Sequence, residues 1–475
     1  PRVGNFGGSA TSPHVLAHNC VLVGVMIKAA TSTPQLTISV TDPRFNSLTL
    51  VFVTAVLLAG SALGVDTLTL AISLIAIYAL LLLGHEGIKK RTKGYPRSAR
   101  NALAFGRILG KWLALASTYL LIFGIYAWLP LYEETLFHSF VGLFNAALPW
   151  LLIAAIPYIA LVDARMTDPC DGLWEAGQLI QGRWLGRDWS KLGDYTRAWA
   201  IKAFFLPLMF GYLFGVVHSL ADFPNVALQG DPVAFFLFII KLLLFADLLI
   251  ATAGYVFTLR LFGTHIRSTN HLVYGWVFTL LCYYPIWPVV YDHYLTYGDG
   301  MVWHDWFPSD SIVFWFWGTL ILGVKLLWVY ANAAFGLRFS NLTHRGIITN
   351  GAFRFTKHPS YIAKNIGWWL ISVPFLSTVG PAAALGNCVL LLLLNAIYFI
   401  RARAEEQHLS SDPDYVEYAN WINEHGIFSG FTRRLRWLRY RAPHGNQIAP
   451  PQQKVNPGQT SQRANQAQTD FLPPE

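Results

Sequence analysis

Residues 346–365 read Gly-Ile-Ile-Thr-Asn-Gly-Ala-Phe-Arg-Phe-Thr-Lys-His-Pro-Ser-Tyr-Ile-Ala-Lys-Asn, a polar, cationic stretch between strongly apolar ones. Before it lies an apolar run over 311–331; after it come runs over 366–380 and 382–400, joined by the Gly380-Pro381 turn. Apolar runs of about 20 residues cross a ~30 Å hydrocarbon core as helices. The cationic stretch is therefore a break between membrane-crossing segments, and the fold class follows from it.

Working outward, further apolar runs occupy 48–64, 67–84, 109–130, 137–162, 202–221, 233–260 and 272–291. The expectation is an all-α, polytopic membrane helical bundle of about ten transmembrane helices, the ninth of them short. Composition agrees: the chain is 54% hydrophobic and 13% charged, against about 25% charged in a soluble domain. A net charge of +9 over 475 residues could suggest nucleic acid, but in a membrane protein it reads as the positive-inside bias. No nucleic-acid partner is expected.

Sorting the basic residues into alternate connections gives the orientation. The segments 1–47, 85–111, 163–202, 260–271, 332–365 and 401–475 together hold every one of the 35 Lys and Arg except Lys241 and Lys325. The opposite connections are acidic and aromatic, with Glu133-Glu134, Asp222, Asp231 and the run from Tyr291 to Asp310. If all ten runs cross, both termini and the 346–365 stretch face the cytoplasm. A bacterial inner membrane is the expected location.

Lys241 and Lys325 lie inside apolar runs, as does Asp247. Counted from the outer side, Asp247 and Lys325 sit at matching depth, so they are expected to pair across helices, while Lys241 can snorkel outward. The long connection 163–201 carries Trp174, Trp184, Trp189 and Trp199 among mixed charges and reads as interfacial helices. Gly60 with Gly64, and Gly211 with Gly215, have the spacing that lets helices approach closely within the bundle. Cys20, Cys170, Cys282 and Cys388 are scattered and imply neither a disulfide framework nor a zinc site. The residues Asp292-His293 and His304-Asp305 are too irregularly spaced to suggest a metal.

At the ends, 1–47 lacks the features of a secretory signal and reads as disordered or loosely attached. Residues 48–335 form an N-terminal bundle of eight helices, and 336–430 a module of their own. In 431–475, a basic segment from Phe431 to Arg441 is suited to anionic lipid, and a Gln-, Pro- and Asn-rich tail is expected to be disordered.

The chemistry concentrates in the third region. In Lys357-His358-Pro359-Ser360-Tyr361 the proline suits the first turn of a helix, where its missing N–H costs nothing. The ninth helix is therefore expected to start near Pro359, with its free N–H groups beside Arg354, Lys357, His358 and Lys364, a setting for an anionic group. Downstream, Arg401-Ala-Arg-Ala-Glu-Glu continues the tenth run. Helical spacing places Arg401 with Glu405, and Arg403 with Glu406, on shared faces. The two carboxylates suit a cationic amine or ribose hydroxyls.

Gly-Ala-Phe-Arg-Phe-Thr-Lys-His-Pro-Ser-Tyr, a tight hairpin of two helices, then Arg-x-Arg-x-Glu-Glu followed by Tyr415 and Tyr418, resembles the isoprenylcysteine carboxyl methyltransferase and phospholipid methyltransferase superfamily over about 336–430. The resemblance implies an integral-membrane methyltransferase that uses S-adenosylmethionine on a hydrophobic or prenylated acceptor at the cytoplasmic face, among membrane lipids. It implies cofactor binding by Gly351, His358, Pro359, Tyr361, Glu405 and Glu406, and catalytic roles for Lys357, Arg403 and Glu405. Trp368, Trp369, Phe353 and Phe355 are candidates to line the acceptor's route. Two positions depart from the family's pattern: Lys357 stands where Arg usually precedes His-Pro, and Ala363 where a Gly follows the Tyr. Lysine lacks the planar two-pronged grip that arginine gives a carboxylate, which leaves open whether the acceptor is a prenylated cysteine, a lipid headgroup amine or another hydrophobic molecule. Two alternatives remain: an NADPH-dependent oxidoreductase similar to sterol reductases, whose ten-helix scaffold ends in a similar His-Pro-x-Tyr hairpin, and a non-enzymatic transporter or scaffold.

Overall fold

A computed structural model describes residues 39–89, 103–221 and 230–442, and apart from one short ladder its regular elements are helices. Lipid offers no hydrogen bonds, so a crossing segment must satisfy its own N–H and C=O groups, and the helix does so internally. Among the described residues eight helices are long and apolar enough to cross: Pro43–Ala62, Thr67–Ile88, Phe105–Trp128, Thr135–Asp163, Trp189–Ala221, Pro232–Val256, Ile312–Ala333 and Pro381–Leu409.

The other two expected spans take different forms. The run over 272–291 is broken into Val273–Leu280 and Ile286–Tyr294. Pro285 lies at the break, where it can neither donate a backbone hydrogen bond nor let the preceding turn continue past its ring. The ninth run starts at Pro359, as its sequence implies, but ends at Ser372. Val373 is left-handed there with φ 47°, and Pro374 follows. The Pro359–Ser372 helix, at about 1.5 Å per residue, is too short to cross ~30 Å alone.

The main core is built from the helices Pro43–Ala62, Thr67–Ile88, Trp189–Ala221 and Pro232–Val256, with Val329 and Ala333 from Ile312–Ala333. Gly211 makes one close approach possible: a Cβ there would lie 2.1 Å from the carbonyl oxygen of Leu136. Gly60 similarly faces Leu70, whereas Gly64 and Gly215 border open space. Close packing within the bundle thus uses one glycine of each expected pair.

The segment 39–47 is part of this structure rather than loosely attached. The Ser39 hydroxyl donates to Asn350 Oδ1 at 3.0 Å, Thr41 to the Ala334 carbonyl at 2.5 Å, and Asn46 Nδ2 to the Ala333 carbonyl at 2.8 Å. The expectations for residues 1–38 and for the tail beyond 442 fall outside the described residues.

Asp247 and Lys325 are close enough to attract one another across the helices but make no direct ion-pair contact. Asp247 accepts a hydrogen bond from Asn332, while the Lys325 ammonium lies 4.5 Å from the ring centroid of Trp328 and 5.6 Å from that of Trp368. Asparagine at the end of the same helix reaches the carboxylate, and the indole faces provide the cation with an alternative to a carboxylate.

The connection after Thr135–Asp163 forms the helix Gly172–Ile180 and then enters Trp189–Ala221 directly. Trp184 and Trp189 are exposed, in keeping with an interfacial position. Ion pairs fasten this connection: the buried Lys111 contacts Asp163 at 2.9 Å and Asp171 at 3.3 Å, and the half-buried Arg260 reaches Asp171 at 3.5 Å. From there Ser268 and Thr269 form an antiparallel ladder with His344 and Thr343. This ladder brings the 257–272 connection against the strand that enters the candidate site.

Candidate active site

Three pieces meet at one end of the bundle: the polar segment 338–346 that follows Ile312–Ala333, the start of Pro359–Ser372, and the last turns of Pro381–Leu409. Arg345 fixes the first. Its guanidinium, 3% exposed, donates to the carbonyls of Thr264 at 2.8 Å, Gly254 at 2.9 Å and Phe339 at 2.8 Å. A buried cation is tolerated when its donors are satisfied. Gly254 permits the approach, since a Cβ there would sit 2.4 Å from the Phe339 carbonyl oxygen.

Glu406 is the centre of the second junction. Its carboxylate receives Lys357 Nζ at 2.6 Å, His358 Nε2 at 3.1 Å and Arg403 at 2.8 Å. Burial pulls the Lys357 ammonium below its ordinary pKa, and the charge of Glu406 opposes that shift. Glu405 has a different setting. Its Oε2 accepts from the Tyr361 hydroxyl at 3.1 Å, and among the described residues no ion pair holds it. The His358 and Tyr361 rings stack at 5.6 Å with an interplanar angle of 14°. Of the two expected intrahelical pairs, Arg403 with Glu406 forms. Arg401 instead turns toward Asn341, at 3.3 Å.

The Pro413–His425 helix packs over this junction. Tyr418 donates to the Phe353 carbonyl at 2.7 Å, and the Ile427 N–H to the Phe355 carbonyl at 3.0 Å. Burial raises the pKa of both Tyr415 and Tyr418, with the negative charges of Glu405 and Glu406 adding to it. Both phenols are therefore neutral, and Tyr418 is the one that donates. Tyr440 closes the end, bonded to Ser410 at 2.8 Å and to Asn423 at 3.0 and 3.2 Å.

Two cavities border this junction. One has a polar wall that takes in Asn341, His344, Arg345, Arg401, Glu405 and His408. The other is largely apolar, with Phe355, Ile362, Phe399, Phe428, Phe431 and Leu438 around Arg403 and Glu406. Lys357, His358 and Tyr361 line both. They are the partition between them.

Of the residues named from sequence, Lys357, His358, Pro359, Tyr361, Arg403, Glu405 and Glu406 are brought together around these cavities. Gly351 is not. It has φ 58° and packs against Pro43, where a Cβ would lie 3.0 Å from the proline ring, so it shapes the turn ahead of the site. Among the four aromatic candidates, Phe353 lines the polar cavity and Phe355 the apolar one. Trp368 and Trp369 line neither; the Trp369 indole donates to Asn395 at 2.8 Å.

Sequence reading missed Tyr283, Asn341, His344 and Arg345. The last three lie in the polar run 338–345 immediately before the quoted stretch, a signal that was present. Tyr283 had none, because the 272–291 run looked like an unbroken span.

The fold and site define a polytopic helical membrane protein with paired polar and apolar cavities meeting at one end of its bundle. Residues 317–411, about a fifth of the chain, match the model of the isoprenylcysteine carboxyl methyltransferase (ICMT) family, which supports a membrane methyltransferase. No curated protein and no solved structure matches the chain.

Proposed function

We propose that the chain is an S-adenosylmethionine-dependent methyltransferase that modifies a lipidic or prenylated acceptor at the cytoplasmic face of the membrane. The observation that carries this is the shared wall: Lys357, His358 and Tyr361 line both a cavity with a charged, polar wall and a largely apolar one. A transferase joining a soluble donor to a lipid-like acceptor needs two such compartments meeting at a thin partition.

The polar cavity fits the donor. Glu405 projects a carboxylate into it whose partner is the neutral Tyr361 hydroxyl, leaving lone pairs for ribose hydroxyls or a cationic amine. S-adenosylmethionine, when bound, supplies an activated methyl group on a sulfonium. Displacement at that centre requires alignment and exclusion of water rather than acid–base chemistry. The protein's residues supply these. Tyr361 holds Glu405 in place, the stacked His358 and Tyr361 rings form the boundary, and Pro413–His425 with Tyr440 covers it. Arg403, held by Glu406 and the Trp437 carbonyl, borders the apolar cavity and faces the acceptor's polar end.

The positive-inside count supports the cytoplasmic placement, since the segments that build the site belong to the alternate connections that together carry nearly all the basic charge. The acceptor enters the apolar cavity from the surrounding lipid, and the donor enters from water.

Calorimetry on the purified chain with S-adenosylhomocysteine and with NADPH tests this reading. Binding of the first is expected, and His358→Ala with Glu405→Ala should abolish it. Binding of NADPH alone would replace the methyltransferase reading with that of a membrane oxidoreductase.

A further inference from the structure

The roles above leave Arg401 without a task. It lies in Pro381–Leu409, is 5% exposed and lines the polar cavity. Its guanidinium carbon sits 5.7, 5.3 and 5.4 Å from the ring centroids of Tyr283, Tyr361 and Tyr398. One terminal nitrogen donates to Asn341 Oδ1 at 3.3 Å, while Nε is buried with no hydrogen-bond partner.

Most of the other basic groups in this wall are answered by a carboxylate or by carbonyls, and the half-buried Lys364 rests its ammonium 4.5 Å from the Trp328 ring centroid. Lys357 meets Glu406 at 2.6 Å, Arg338 meets Glu86 at 2.7 Å, and His344 meets Asp412 at 3.2 Å. Arg345 has its three carbonyls. Among the described residues Arg401 has no carboxylate in ion-pair contact. Three tyrosine faces attract its charge but do not accept its remaining N–H donors in the plane of the guanidinium. A permanently charged side chain with unused buried donors is costly, and a ligand is the natural source of the missing acceptor.

We infer that Arg401, supported by Asn341, seats the carboxylate of the methyl donor's amino-acid portion. This rests on the methyltransferase reading. Arg401 and Glu405 are one helical turn apart, which places their Cβ atoms about 5–6 Å from each other. Tyr361 touches both, its ring beneath the guanidinium and its hydroxyl on Glu405. A guanidinium and a carboxylate so spaced match the paired opposite charges of an α-amino acid. Asn341, anchored through its own Nδ2 to Tyr255 at 3.1 Å, keeps Arg401 turned into the cavity.

The test compares two ligands that differ in this portion: S-adenosylhomocysteine, and 5′-methylthioadenosine, which lacks the amino acid. Dissociation constants are measured by calorimetry on the full chain in lipid nanodiscs. Arg401→Met should weaken S-adenosylhomocysteine roughly 10- to 100-fold and leave 5′-methylthioadenosine unchanged. Should Arg401→Met fail to fold, Asn341→Asp provides the same information, because a near-isosteric built-in carboxylate would neutralise the seat. It should likewise weaken only the ligand that carries the amino acid. Equal effects on both ligands, or none on either, would overturn the assignment while leaving the methyltransferase reading in place. Failure of the unaltered chain to bind S-adenosylhomocysteine, with NADPH bound instead, would overturn both.

Discussion

The adjacent carboxylates Glu405 and Glu406 separate two demands that a membrane enzyme places on one helix turn. Glu406 is 6% exposed and surrounded by Lys357, His358 and Arg403, so it holds the wall together. Removing one partner from a buried ion pair strands the other charge, at a cost of roughly 3–5 kcal/mol. Glu406→Gln should therefore lower thermal stability markedly in detergent, with ligand binding lost as a consequence. Glu405→Gln keeps an oxygen for the Tyr361 hydroxyl, so its stability cost should stay near that of one hydrogen bond, about 0.5–1.5 kcal/mol. It should nonetheless weaken S-adenosylhomocysteine binding. Equal melting temperatures for the two variants would contradict this division. The sequence placed both glutamates in the site but could not divide their work, because helical spacing reports which face a residue occupies and not which side chains arrive from elsewhere. Lys357 illustrates the same limit. Its departure from arginine was legible, whereas its contact with a glutamate some fifty positions away was not.

At the scale of elements, the long spans were legible because lipid enforces a simple rule of length and apolarity. The two irregular runs were not. The 272–291 run has enough apolar residues to cross, and its break follows from Pro285, whose effect depends on how neighbouring helices accommodate it. That break places Thr279 and Tyr283 on the polar cavity. The short Pro359–Ser372 helix likewise delivers Tyr361 and Lys364 to the cavity from its first turns. Helix approach makes a second prediction. Gly254 lies where Pro232–Val256 meets the 336–339 turn, and its carbonyl also accepts from Arg345. Gly254→Ala would force that turn away, with a destabilisation of about 1–3 kcal/mol and weaker ligand binding, because the 338–346 wall moves with it. Gly215→Ala, facing open space in Trp189–Ala221, should be neutral or slightly stabilising. Thermal melts of the two variants side by side provide the check.

For the whole molecule, the question is which side of the membrane the two cavities face. Nearly all basic residues lie in alternate connections, and the structure joins several of those connections physically at the site. Asp171 pairs with Arg260, the 257–272 connection pairs with 343–344, and Ser268 contacts His408 at 3.0 Å. Cys170, exposed and next to Asp171, therefore marks the same end of the bundle as the cavities. The loop holding Asp310 leads into Ile312–Ala333 from its other end and is exposed. A variant retaining Cys170 as its one cysteine should react with a membrane-impermeant maleimide in inverted inner-membrane vesicles but not in intact cells. A second variant, cysteine-free except for Asp310→Cys, should show the reverse. The pair tests more than sidedness. The helices Thr67–Ile88 through Pro232–Val256 alternate by long spans alone, but the path from Cys170 to Asp310 also runs through the broken 272–291 segment. If that segment turned back without crossing, both cysteines would not report opposite sides. Labelling of both from one side would thus refute a crossing by the broken run, and labelling of Cys170 in intact cells would refute a cytoplasmic site for the donor.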